Sequence, residues 1–116
     1  MQDRPTAVEL LEAIREFLEH DVMGATEDRV RFHTRVAVNA LGMLKRELRL
    51  GPELDTAERR RLAALLGHDA DLSTLTAELA RRIRDGSLDD RHDEVVAVVR
   101  ESVRAKLLVS NPGYVG

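Results

Sequence analysis

Apolar residues recur at three- and four-residue spacing along the whole 116-residue chain, and no segment alternates as a half-buried strand would. Five helices follow from that pattern. The first starts at Thr6, where Thr6 and Glu9 form a T-x-x-E capping box. It carries Ala7, Leu10, Leu11, Ile14, Phe17, Leu18 and Val22 on one face, with Gly24 as its stop. The second begins near Thr26 to Asp28 and runs to about Leu50, where Gly51-Pro52 ends it. It is the longest and the least amphipathic, hence central. Val30, Ala37, Ala40, Leu41, Leu44 and Leu48 are its expected buried face, and Phe32, Val36 and Met43 a second apolar patch. The third opens with another capping box, Asp55 and Glu58, turns Leu62, Leu65 and Leu66 inward and stops at Gly67. The fourth covers about Ser73 to Asp85, with Leu72, Leu75, Leu79 and Ile83 on its face. The fifth starts at Asp89-Asp90, acidic residues suited to a helix N-terminus, and reaches about Val109 before Asn111-Pro112-Gly113 breaks it.

The expected fold is therefore all-α, a single-domain bundle of about five helices over residues 1–116 with a long central second helix. A chain of this length buries roughly two-thirds of its unfolded surface in one core. With two Phe, one Tyr and no Trp, that core must be built from Ala, Leu and Val. The absence of cysteine removes disulfides and thiolate metal sites. No apolar run approaches the ~18 residues of a membrane span, and the acidic start "MQDRPTAVELLE" does not read as a signal, so a cytoplasmic location is expected. A formal net charge of -3 disfavours a general polyanion binder.

Two irregularities interrupt the pattern. On the second helix Arg35, Asn39, Gly42 and Arg46 share one narrow stripe beside apolar residues. Arg35 and Arg46 could offer guanidinium forks to a carboxylate or phosphate, with Asn39 as orienting donor. More commonly, such arginines pair, here with glutamates of the first or third helix while Asn39 satisfies a loop carbonyl. An interior glycine costs about 1 kcal/mol against alanine, and close approach of a backbone or a ligand over Gly42 would compensate. On the fifth helix Val95, Val99 and Val103 mark an apolar face that also holds Ser102, Lys106 and Ser110. Lys106 is one of only two lysines among eighteen basic residues. Desolvated, such a lysine becomes a base or nucleophile; more commonly it snorkels or pairs.

Other chemistry is thin. His20, His33, His68 and His92 lack any metal-ligand spacing, and His33 is expected on the buried side of the second helix as a hydrogen-bonded core residue. No nucleophile elbow, P-loop or dinucleotide fingerprint is present, so no cofactor is expected. The clusters "ERRR" (Glu58 to Arg61) and "ARRIR" (Ala80 to Arg84) lack interleaved aromatics, and the turn from Gly67 to Asp71 is acidic, which makes nucleic-acid binding a weak reading.

Three stretches, "QDRPTAVELLEA" (Gln2 to Ala13), "RVAVNALGMLKREL" (Arg35 to Leu48) and "KLLVSNPGY" (Lys106 to Tyr114), resemble an uncharacterised bacterial family of small all-helical proteins. That resemblance implies a genomic setting beside aminoglycoside-phosphotransferase-like kinases and acyl-CoA dehydrogenases, and so an accessory part in acyl-CoA or lipid catabolism. It supplies no site. Two functions stand. The favoured one is a non-catalytic interaction protein that binds a kinase-like or dehydrogenase partner, or a second copy of itself, through a helix face. The alternative is a small-anion binder or unrecognised enzyme in which Arg35, Asn39, Arg46 and Lys106 converge on a phosphate, carboxylate or CoA thioester. The stripe is read as a structural or partner-facing seam.

Overall fold

The computed structural model describes residues 3–115; Met1, Gln2 and Gly116, which the 1–116 expectation includes, lie outside the described residues. The described chain is all-helical, with no strand. Its helices are α1 (Ala7–Glu16), α2 (Asp28–Leu66), α3 (Leu72–Arg84) and α4 (His92–Ser110). A π-helical turn (Phe17–Val22) and a short α-helical turn (Met23–Ala25) prolong α1, and two 3-10 turns, Asp89–Arg91 and Pro112–Tyr114, flank α4. No helix among the described residues is long and apolar enough to cross a membrane. The chain forms two compact units, one ending at Arg49 and one starting at Leu50. Each is built differently.

In the first unit, Thr6 and Glu9 make the expected capping box: the Glu9 N–H donates to Thr6 Oγ1 at 3.2 Å, and the Thr6 N–H to Glu9 Oε1 at 3.3 Å. Helical backbone passes Gly24 and stops at extended Thr26, whose hydroxyl donates to the Val22 carbonyl at 2.6 Å. Asp28 opens α2 with φ of 54°. Aspartate is among the few non-glycine residues that tolerate this left-handed region. The first part of α2 returns alongside α1, tied to it by Lys45 Nζ donating to Glu12 Oε1 at 2.9 Å.

The buried stripe of α2 in this unit differs from the expected one. Thr34, Val38 and Gly42 are buried, while Val30, Ala40, Leu44 and Leu48 are exposed. The Thr34 hydroxyl is satisfied by the Val30 carbonyl at 2.7 Å. The wider apolar face is the exposed one. His33 is a further correction: it is exposed, with Arg29 Nε donating to its Nε2 at 3.5 Å and its ring set edge-on to Phe32.

The second unit has a leucine core. Leu62, Leu65 and Leu66 of α2 meet Leu75 and Leu79 of α3 and Leu88 of the following turn, with Val95 and Val98 of α4 packed against them. Gly67 ends α2 with φ of 87° and its N–H on the Ala63 carbonyl at 2.8 Å, a left-handed C-terminal cap. Asp71 then starts α3 by accepting the Thr74 N–H at 2.8 Å. Two arginines seal the end of α2 from outside: Arg91 Nη1 donates to the Leu65 carbonyl at 2.8 Å and Arg82 Nη1 to the Leu66 carbonyl at 3.4 Å. These carbonyls have no helical donor of their own, so the guanidinium groups satisfy an obligatory demand.

The helix break expected at Gly51-Pro52 is absent. One helix replaces the predicted second and third, and Asp55 and Glu58 sit in its interior with no cap to make. Proline's fixed φ is itself helical, so Pro52 can sit in α2 at the cost of the donor that the Leu48 carbonyl would have received and of its ring crowding that same carbonyl. Leu48 is exposed, and water can serve that carbonyl. Glu, Leu, Ala and Arg on either side are strong helix formers and carry the backbone through.

Candidate functional site

Where the π-helical turn faces α2, the first unit has an open cleft of about 410 Å³. A π turn places six residues where a regular helix would place fewer; here the Met23 N–H donates to the Leu18 carbonyl, five residues back. That wider turn presents Glu19 and His20 to one side of the cleft, followed by Met23. From α2, Arg31, Arg35 and Asn39 occupy three successive turns on the other side, and buried Val38 lies between them and α1.

Among the described residues no carboxylate pairs with Arg31 or Arg35. This departs from the pairing expected of Arg35; from α2, Lys45 reaches the first-helix Glu12. The amino group beside Glu12 holds that carboxyl below its ordinary range, chiefly through the hydrogen bond, with Arg15 at 3.3 Å adding to it. With Arg31 and Arg35 positive and Glu19 negative, the cleft carries one net positive charge when His20 is neutral. It can hold an anion through two forks of N–H donors and offer the Asn39 amide and the His20 ring to the rest of a ligand.

Of the four residues singled out from the sequence, Arg35, Asn39 and Arg46 belong to the first unit and Lys106 to the second. Arg35 and Asn39 share the cleft. Arg46 is half-buried, and its Nη1 lies 3.6 Å from where a Cβ on Gly42 would stand. No backbone comes within 4 Å of that position, so a side chain shelters Gly42. Lys106 belongs to the second unit, exposed on α4, where its carbonyl accepts the Ser110 hydroxyl at 3.0 Å. Sequence reasoning passed over Arg31, although the spacing Arg31, Arg35, Asn39 was there to find. Glu19 and His20 had no such signal, because a π turn shifts the register that a helical wheel assumes.

Several polar groups around the second unit's core pair with one another, although the buried Arg61 Nε has no hydrogen-bond partner. Arg59 grips Asp69 through two hydrogen bonds of 2.9 Å, and this pairing raises the guanidinium's pKa and lowers the carboxyl's. His68 Nε2 lies 2.8 Å from Glu78 Oε1, and Arg91 Nη2 donates to Glu94 Oε2 at 2.6 Å. These pairs hold the turns in place. No group of three or more His, Asp or Glu side chains among the described residues could hold a metal ion. Residues 24–114 match the model of a family described as a domain of unknown function (DUF6285). No curated protein and no solved structure matches the chain.

Proposed function

The chain belongs to the family described as a domain of unknown function (DUF6285), and from that premise we propose that it is a non-catalytic interaction protein. The observation that carries this reading is an apolar platform on the first unit. Glu19, Arg31, Arg35 and Asn39 line the cleft, and outside it Leu10, Ile14 and Phe17 recur at helical spacing on α1, as do Leu44 and Leu48 on α2, each between 46% and 56% exposed. Two helices do not enclose a core. Four do, and an isologous pairing of two such hairpins is the simplest way to supply them.

The first partner is therefore a second copy of this chain. Five half-exposed apolar side chains offer on the order of 500 Å², most of the roughly 800 Å² that each side of a standard interface contributes. Lone exposed leucines need no such account, whereas apolar side chains recurring along both helices of one hairpin point to a binding role. The resemblance supplies the setting: a cytoplasmic accessory to a kinase-like enzyme or an acyl-CoA dehydrogenase, with nucleic acid and membrane outside its role.

Size-exclusion chromatography with light scattering tests the reading. A dimer is expected for the natural chain, and Leu44→Glu should give a monomer that keeps its helical circular dichroism. A natural chain that stays monomeric through the micromolar range, and does not co-elute with a co-expressed dehydrogenase or kinase, would overturn it.

A further inference from the structure

We propose that the cleft between the π-helical turn and α2 is a binding site for a small phosphate monoester, gripped by Arg31 and Arg35. The site shares no residue with the apolar platform and does not depend on dimerisation. Three features carry it. Arg31, Arg35 and Asn39 stand at i, i+4 and i+8, so their side chains line one wall, with two guanidinium forks followed by an amide. Neither arginine is neutralised by a carboxylate among the described residues. Across the cleft the π turn supplies His20, a second group able to donate to or accept from the ester portion of a ligand.

Charge narrows the class. Two adjacent positive forks suit a tetrahedral dianion, which accepts bidentate hydrogen bonds from both, better than a single carboxylate. Glu19, lining the same cleft, limits the net charge to one positive unit and so works against polyphosphates and nucleic acid. The cleft volume of about 410 Å³ fits a small metabolite. A second arginine pair at i, i+4, Arg100 and Arg104, sets the contrast. It borders a cleft whose other named walls are Val103, Leu107, Tyr114 and Val115, with no amide or imidazole to orient an ester.

Amide and side-chain NMR titration of the full chain tests the site, with glycerol 3-phosphate, inorganic phosphate, succinate and chloride at matched ionic strength. The expected result is a saturable response to the two phosphates, confined to Glu19, His20, Arg31, Arg35 and Asn39. Arg35→Gln should weaken it by roughly tenfold or more, while Arg104→Gln leaves it unchanged. Arg35 is exposed, so the variant should melt like the natural chain, and its oligomeric state should not move; this separates a failure here from a failure of the platform reading. An equal response at Arg100 and Arg104, succinate binding as tightly as the phosphates, or an unaltered Arg35→Gln titration would overturn the proposal.

Discussion

The two units of this chain solve the same problem with different means. The second unit excludes water: Leu62 and Leu75 are 1% and 0% exposed, and arginines close the helix end above them. Among its described residues the first unit has no fully buried large side chain; its buried positions are Thr34, Val38 and Gly42, and α1 contains no buried residue. One unit is held by apolar burial, the other by caps, ion pairs at Glu9 and Glu12, and helix propensity. The difference says where function has room. A region that spends its apolar residues on its own core has none left for a partner, whereas the first unit keeps its apolar flank and its arginines available.

The contrast can be broken at its strongest point first. Leu75→Ala should cost about 2–5 kcal/mol, because a fully buried leucine leaves a cavity that its neighbours fill only in part. Denaturant unfolding measures the loss, and hydrogen exchange should place it in α3 and the end of α2. A loss under 1 kcal/mol would mean that the leucine cluster is not the main support of the second unit.

Gly42→Ala probes the first unit in the opposite direction. The new methyl would meet only Arg46 Nη1 at 3.6 Å, an ordinary contact, so the gain in helix propensity of about 1 kcal/mol should be felt as stabilisation. Loss of stability would reveal a closer neighbour over Gly42.

Acid should separate the units by the smallest margin. Asp69 beside Arg59, Asp71 bonded to Thr74, Asp85 bonded to Ser87 and Glu94 beside Arg91 are all held below their ordinary range in the second unit, against Glu12 alone in the first. A carboxyl whose folded pKa is lowered contributes stability above its unfolded pKa, near 4, and loses it as pH falls through the folded value. Protection of second-unit amides should therefore decline more than that of α1 as pH drops below about 4, modestly, since these pairs are exposed. Equal decline would remove the electrostatic part of the contrast.

Much of this was legible along the chain. The Thr6–Glu9 box, the stops at Gly67 and Asn111, and the inward set of Leu62, Leu65, Leu66, Leu75 and Leu79 are local or strictly periodic features, and all recur in the structure. Gly51-Pro52 misled because a break signal says only that a helix can end there, and strong formers on both sides outweighed it. The buried stripe of α2 escaped for a related reason: periodicity finds the most apolar face, and Thr34, Val38 and Gly42 are buried instead. Of the site, Arg35 and Asn39 were identified from spacing; their companions across the cleft depend on backbone geometry that no residue type announces.

The π-helical turn has one more implication. It works as a one-residue spacer, advancing everything after Leu18 by an extra position relative to α1. Deleting a single residue between Phe17 and Val22 would let the backbone relax into ordinary winding and swing Glu19 and His20 about a quarter of a revolution around the axis. The helix would survive the excision, and the pocket would lose one of its walls.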